Sequence, residues 1–183
     1  PDGKPGVAAS YWNNTTMTGD VAATATYTSP VKLSNGGNTV FAPGVELENF
    51  TARYETTFTP QKDAEIHLYA EADEGYRFIL NGDTLSNRFK QAHGVQKFGK
   101  TLKVKKGERY DIQIDYLQMS GMAHMQFDIY EEEQVSTASI VSQAADADVV
   151  LFVGGISPRL EGEEMKVDAY GFKGGDRTDI QLP

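Results

Sequence analysis

The chain has no cysteine, which excludes disulfides, a thiolate zinc site and a cysteine nucleophile. It also has a shortage of positive charge: 17 lysines and arginines stand against 26 aspartates and glutamates, for a formal net charge of −9. This balance argues against binding to nucleic acid or to an anionic membrane surface, because both attract basic proteins. No apolar run approaches the length of a transmembrane helix. What remains is the composition of an ordinary globular protein.

The amino-terminal residues carry no signal-peptide pattern. Residues 1–6 (PDGKPG) have the proline and glycine content of a linker, so we expect the chain to start within a longer protein. Localisation therefore cannot be read from this end of the sequence.

Residues 1–132 have a β pattern almost throughout. Apolar and polar residues alternate in residues 50–58, and the same period of two recurs in residues 64–72, 110–116 and 123–129. Asn81-Gly82 is a strong signal for a tight hairpin turn. Several short strands with turns between them predict a mainly β fold, an antiparallel β-sandwich or barrel.

The pattern changes after three consecutive glutamates at residues 131–133. Apolar residues then recur every three or four positions in residues 134–145, which predicts a helix. The continuous apolar run over residues 149–153 predicts a parallel strand covered on both faces. Such a helix and strand cannot bury their own apolar faces. We therefore predict a β-sandwich domain over residues 1–132 and a short α/β segment of an incomplete domain over residues 133–183.

A loop rich in carboxylates follows the predicted buried strand. It contains Glu161, Glu163 and Glu164, with Arg159 just before them. Ligands of open parallel sheets bind at the loops that follow the carboxyl ends of the strands. Glycosidases need a pair of carboxyl groups across the scissile bond. Charged loops are more often only solvated, so the spacing alone leaves both interpretations open.

Two stretches carry a family resemblance, GGISPRLEGEEM and GFKGGDRTDIQLP. They resemble the second, α/β-sandwich domain of the family 3 glycoside hydrolases, which include β-glucosidases and β-xylosidases. The resemblance implies that Glu161 is the general acid/base. The loop is longer than in many members, so Glu163 and Glu164 stay open as alternatives, and Arg159 is a candidate contact to sugar. The family's nucleophilic aspartate belongs to a preceding barrel domain that nothing here resembles, so we do not expect this chain to be active alone.

Four stretches resemble, in order, the PA-fourteen domain named after the anthrax protective antigen: GVAASYWNNTTMTGDVAATATY, APGVELENFTARYETTFTP, EADEGYRFILNGDTL and VKKGERYDIQIDYLQMSGMAHMQFDIY. Such domains occur as insertions in the second domain of some family 3 enzymes, so the two resemblances support each other. Together they imply a periplasmic or secreted parent hydrolase, whose remaining domains would be partners of this chain.

The second resemblance also suggests a calcium site. In the sugar-binding adhesin members of that family, two adjacent aspartates hold a calcium ion that contacts sugar hydroxyls. This chain has Asp73-Glu74 at that place. Calcium is therefore a possible cofactor, with solvated turn residues as the alternative, and no other cofactor is predicted.

Exposed aromatic side chains would be the usual means of holding a sugar ring. Trp12, Tyr11 and Tyr69 are the candidates, and packing inside the sandwich is the alternative for each. Because Trp12 directly follows Tyr11 in a predicted strand, one of the two must point away from the core.

The two resemblances imply a segment of a retaining β-glycosidase that acts on terminal β-linked glucose or xylose. The sandwich would face and shape the pocket for an oligosaccharide or polysaccharide. Two alternatives stay open: a stand-alone, lectin-like carbohydrate-binding module without a catalytic role, and a purely structural insert.

Overall fold

A computed structural model describes residues 5–28, 30–131, 136–145, 147–151, 171–173 and 176–178. The chain divides into two compact units, Pro1–Glu133 and Gln134–Pro183. Among the described residues, no helix is long and apolar enough to cross a membrane.

Within residues 5–131, the described chain forms ten strands and a single turn of 3-10 helix at Gly36–Asn38. In chain order the strands are β1 (Val7–Trp12), β2 (Ala23–Tyr27), β3 (Val31–Ser34), β4 (Phe50–Phe58), β5 (Ala64–Asp73), β6 (Gly75–Leu80), β7 (Asp83–Arg88), β8 (Val95–Val104), β9 (Tyr110–Gln118) and β10 (His124–Tyr130). A six-stranded sheet has the order β2-β1-β4-β9-β6-β7, and a four-stranded sheet has the order β3-β10-β5-β8. Every neighbouring pair in these two sheets is antiparallel, which confirms the predicted mainly β, antiparallel fold.

The core holds the alternate residues that the period of two predicts. The largest fully buried side chains are aromatic or aliphatic and come from both sheets: Tyr11, Tyr54, Tyr76, Tyr116, Phe50, Phe78, Leu68 and Ile114. The predicted tight turn between β6 and β7 is also present, since Asn81 and Gly82 both have positive φ angles, 50° and 86°.

The first and the last residues of the sandwich sequence lie at the same end of the two sheets, beside the turn between β4 and β5. The Thr56 hydroxyl donates to the Gly6 carbonyl (2.9 Å), which fixes the start of β1 there. The Lys62 amine pairs with Glu131 after β10 (2.7 Å). The opposite end, which we call the loop end, is formed by the connections β1–β2, β3–β4, β5–β6, β7–β8 and β9–β10.

The second unit contains helix α1 (Thr137–Ala144), as the three-to-four spacing predicts. The Ser136 side chain caps it by accepting from the Ser139 amide (3.1 Å). A short antiparallel pair, β11 (Phe172–Lys173) and β12 (Asp176–Arg177), lies further along the chain.

The predicted buried strand over residues 149–153 is wrong for the part that is described. Val149, Val150 and Leu151 are not in a strand and are 73%, 61% and 87% exposed. A parallel strand needs hydrogen-bonded neighbours and cover on both faces, and no described strand pairs with these residues.

Candidate functional site

A polar pocket of about 420 Å³ opens at the loop end of the sandwich. Most of its wall comes from the long connection between β3 and β4. It is lined by three asparagines, two glutamates, a leucine and a glycine: Asn35, Asn38, Asn49, Glu46, Glu48, Leu47 and Gly121. Amide and carboxylate groups dominate, which suits a ligand rich in hydroxyl groups.

Two of these asparagines have left-handed backbone conformations. Asn38 has φ 61° and Asn49 has φ 55°, a region in which asparagine is the best tolerated residue after glycine. The Asn49 amide donates to the Met119 carbonyl (3.1 Å), which ties the connection to the β9–β10 turn. The local sequence therefore sets the course of this wall.

Three side chains of the pocket are uncommitted. Asn38, Glu46 and Asn49 are exposed, and none of their side chains hydrogen-bonds to another described residue. The backbone of Glu46 is nevertheless fixed, because its amide donates to the Asn13 side chain (3.0 Å). The pocket thus offers free donors and acceptors on a positioned backbone.

The β9–β10 turn beside the pocket is held by two carboxylates, the buried Glu74 and the exposed Glu48. Glu74, only 4% exposed, accepts from the Met119 amide (2.7 Å) and from the Ser120 amide (3.1 Å). Glu48 accepts from the Gly121 amide (2.7 Å). Charge-assisted bonds of this kind are stronger than neutral ones, so they hold the turn firmly.

Two amide side chains complete the anchoring of this turn. Asn35 accepts from the Ala123 amide (2.8 Å) and donates to the Gly121 carbonyl (3.0 Å). Gln118 donates to the Ser120 carbonyl (2.9 Å) and accepts from the buried Tyr116 hydroxyl (2.6 Å). The pocket wall at Gly121 is therefore connected directly to the core.

The calcium site suggested at Asp73 and Glu74 has another structural explanation. Each Glu74 oxygen already accepts from a backbone amide, and Asp73 accepts from the Glu74 amide (3.1 Å). The described residues contain no group of three or more histidine, cysteine, aspartate or glutamate side chains that could hold a metal. Calcium takes six to eight oxygen ligands, so a calcium site at Asp73 and Glu74 stays a prediction that needs further ligands.

Tyr11 is not available to a sugar, and its assignment as a sugar contact is wrong. Its side chain is 0% exposed, and its hydroxyl bonds to the Tyr27 hydroxyl (2.7 Å) inside the core. Burial, followed by the bond to Tyr27, raises its pKa well above the ordinary value. Trp12 faces the other side of β1 and is partly exposed, so one of the two neighbours does point outward, as predicted.

Trp12 and Tyr69 lie on opposite outer faces of the sandwich. Trp12 belongs to the six-stranded sheet, at the loop end of β1, and Tyr69 lies in the middle of β5 in the four-stranded sheet. They cannot line the same pocket. Each stays a candidate for a separate sugar contact.

The predicted catalytic residue Glu161, its alternatives Glu163 and Glu164, and the sugar contact Arg159 lie outside the described residues. Sequence reasoning missed the uncommitted pocket residues Asn38, Glu46 and Asn49. The available signal was a long connection over residues 35–49 without a strand pattern, since long ordered loops are often functional.

Fold and site together define a β-sandwich domain with a polar pocket among its loops. The sequence profile of the PA14 domain matches residues 3–141, and the chain belongs to this family. It is 38% identical over 185 residues to a xylan 1,4-beta-xylosidase of Xylanibacter ruminicola, with 100% of this chain and 21% of that protein covered. The chain therefore spans about a fifth of the length of that curated relative.

Solved structures show the same fold. An anti-sigma factor domain-containing protein matches 72% of this chain and 45% of its own, with a TM-score of 0.61 and 17% identity. A beta-glucosidase from Kluyveromyces marxianus, in complex with glucose, matches 76% of this chain and 18% of its own, with a TM-score of 0.53 and 14% identity. At these identities the likeness concerns the fold alone.

Proposed function

We propose that the chain is a segment of a retaining β-glycosidase of glycoside hydrolase family 3. The sandwich would form part of the wall of the sugar-binding pocket, and the second unit would carry the general acid/base, Glu161. The observation that carries this proposal is the 38% identity to a xylan 1,4-beta-xylosidase, which extends over the whole of this chain and hence over both units. We propose that the parent protein is periplasmic or secreted, because a polymeric substrate such as xylan is met outside the cytoplasm.

The loop end supports a role in shaping a sugar pocket. Asn38, Glu46 and Asn49 offer polar groups that no described neighbour uses, and the adjoining turn is anchored to the core. Because the backbone of this wall is fixed, binding of hydroxyls would order only side chains, which limits the cost in entropy. Gly6 and Glu131, at the two ends of the sandwich sequence, both lie at the opposite end, so neither of these chain ends occupies the loop end.

Glu161 would act twice in the proposed reaction. As an acid it would protonate the glycosidic oxygen while a nucleophilic carboxylate, supplied by the rest of the parent protein, attacks the sugar. As a base it would then take a proton from the water that releases the sugar. This chain supplies one carboxyl group of the pair and therefore needs the parent for catalysis.

The first test is Glu161→Gln in the full-length parent enzyme. We expect a large loss of activity on xylo-oligosaccharides and a smaller loss on aryl xylosides with good leaving groups, because these need no protonation. Glu163→Gln and Glu164→Gln are the matched controls. Unchanged activity in Glu161→Gln would overturn this role.

The second test concerns the pocket at the loop end. Alanine at Asn38, Glu46 and Asn49 together should raise KM for xylo-oligosaccharides and leave short aryl xylosides unaffected. The same triple variant of this chain alone should also be tested for sugar binding. If the chain loses sugar binding but the parent keeps its substrate preference, the sandwich is a lectin-like carbohydrate-binding module without a catalytic role. If neither property changes, the insert is structural.

A further inference from the structure

The outer face of the four-stranded sheet carries a second group of candidate contacts, away from the loop end. Tyr69 on β5 pairs with Asp128 on β10 and with Gly99 on β8, and the adjacent outward row pairs His67 with Tyr130. Successive outward residues of a strand are about 7 Å apart, so the two rows form one patch. We call these five residues the Tyr69 face.

The Tyr69 ring is held in place from the protein side. Its hydroxyl donates to Glu71, two residues further along the same strand, so the ring leans along the strand. Glu71 is fixed in turn by Lys97 (2.7 Å) and by the His124 ring (3.3 Å). The aromatic surface is thus positioned before any ligand arrives, which favours binding.

Gly99 leaves open space beside this ring. A β-carbon at Gly99 would meet no atom within 4 Å, and its φ lies outside the left-handed region, so neither packing nor backbone conformation requires glycine there. Glycine inside a strand weakens the strand and often marks the close approach of a ligand or another backbone. Gly99 lies on the edge strand β8, so its missing side chain exposes the flank of the Tyr69 ring on the neighbouring strand β5.

A second ring surface lies one row away. The His67 ring stacks on the Tyr130 ring, with centroids 5.2 Å apart and an interplanar angle of 20°. Tyr130 is 45% exposed, and the Thr101 hydroxyl bonds to His67 Nδ1 (3.1 Å) and steadies the pair. The patch therefore offers two aromatic surfaces, Tyr69 and the His67–Tyr130 pair, and the carboxylate of Asp128 beside Tyr69.

We propose that the Tyr69 face binds a neutral, β-linked xylo-oligosaccharide, with one sugar ring on Tyr69 over Gly99 and the next toward Tyr130. The C–H faces of pyranose rings pack on aromatic rings, and hydroxyls bond to a carboxylate such as Asp128. Glu71 and Lys97 beside the ring neutralise each other, which suits an uncharged ligand. The choice of xylose rests on the proposed function, whereas the site rests on the geometry of the sheet.

The test is a titration of the full 183-residue chain with xylohexaose, followed by NMR, for wild type and two variants. Tyr69→Ala removes the ring, and Gly99→Leu fills the space beside it. Each should weaken binding by about two- to tenfold, the size expected for one lost stacking contact. The matched control is Thr24→Leu, which adds the same side chain to an exposed, outward position on β2, an edge strand of the other sheet. It should bind as wild type does.

The outcomes separate this site from the loop end. Wild-type affinity in both Tyr69→Ala and Gly99→Leu, or no binding by the wild-type chain, would overturn the proposal. If binding is lost only in Asn38→Ala or Glu46→Ala, the sugar lies at the loop end, which refutes the Tyr69 face and leaves the proposed function intact. Circular dichroism shows whether each variant is folded, and Gly99→Leu decides the question if Tyr69→Ala does not fold. The activity of Glu161→Gln in the parent tests the proposed function independently.

Discussion

The two sheets each carry an acidic side chain on the outward face of a central strand, in different surroundings. Asp115 on β9 has a side chain that is 0% exposed, with Arg53 at 2.7 Å on one side and Arg77 on the other. Glu71 on β5 is 16% exposed and meets the Lys97 amine at 2.7 Å, with Lys97 itself 63% exposed.

The comparison shows how burial changes what an ion pair between neighbouring strands contributes to the fold. Burial alone would raise the pKa of Asp115, but hydrogen bonds and charge from Arg53 and Arg77 outweigh it and keep this pKa below its ordinary value. Arg53 uses two guanidinium nitrogens on the two carboxylate oxygens, a geometry that lysine cannot reproduce. Asp115 therefore joins three strands rigidly, whereas water can replace the partners of Glu71.

The largest effect should come from Asp115→Ala. The change leaves two partly buried guanidinium groups without their carboxylate, and loss of one partner from such a cluster costs about 3 kcal/mol. Urea unfolding followed by the fluorescence of Trp12, the sole tryptophan, measures it. The matched control is Asp111→Ala, because Asp111 lies on the same strand and also pairs with an arginine (Arg109, 2.8 Å) but is 55% exposed. Equal losses for the two variants would contradict the importance of burial.

A smaller loss of stability is expected for Glu74→Gln. This variant tests a buried carboxylate that has no cationic partner in the described part of the chain. Glu74 is buried as deeply as the core but is satisfied by two backbone amides instead of arginines. The glutamine amide group can accept from only one of them, so we expect a loss of about 2 kcal/mol. Glu48→Gln, at an exposed position in the β3–β4 connection that bonds to the same β9–β10 turn, should lose less. A Glu74→Gln chain as stable as wild type would show that the turn does not need this carboxylate.

Glu71→Gln should cost less than about 1 kcal/mol at neutral pH, because its partner Lys97 is 63% exposed and solvent screens the ion pair. Bonds from Lys97 first and Tyr69 second lower the pKa of Glu71 from 4.5 to about 2. Because the folded-state pKa is depressed, the contribution of Glu71 is complete above pH 4.5 and is lost as the pH falls toward 2. The stability difference between wild type and Glu71→Gln should therefore shrink over this interval. A difference that stays constant with pH would contradict the lowered pKa.

The smallest effect should come from calcium. Because the oxygens of Glu74 are occupied by backbone amides, addition of millimolar calcium or of EDTA should leave Tm of the full chain unchanged. Magnesium serves as the control for ionic strength. A rise in Tm with calcium alone would contradict this expectation and support the metal site at Asp73 and Glu74.

The period of two identified most of the sandwich because each strand has one buried face. It placed Phe50, Ala52 and Tyr54 in the core and located the Asn81-Gly82 turn, both of which depend on neighbours along the chain. The same reasoning did not decide which of Tyr11 and Trp12 lies inside. That choice depends on which face of β1 meets the other sheet.

The local sequence pattern predicted burial wrongly where burial depends on neighbouring strands rather than on residues close in the chain. The apolar run at residues 149–151 has the composition of a buried strand, but it is exposed because no described strand lies beside it. Asp115 looks like a surface residue in its strand, yet Arg53, 62 residues away, and Arg77, 38 residues away, cover it from the neighbouring strands.

The sequence by itself determined the antiparallel sandwich, the helix that follows it and the family resemblance, because periodicity and turn chemistry act between residues close in the chain. Only the tertiary structure decided that Glu74 holds a turn, that Asn38, Glu46 and Asn49 are left free around one pocket, and that Gly99 opens the flank of Tyr69. These features arise from contacts between strands and loops far apart in sequence, and the strand register that creates them is set by the packing of the whole core.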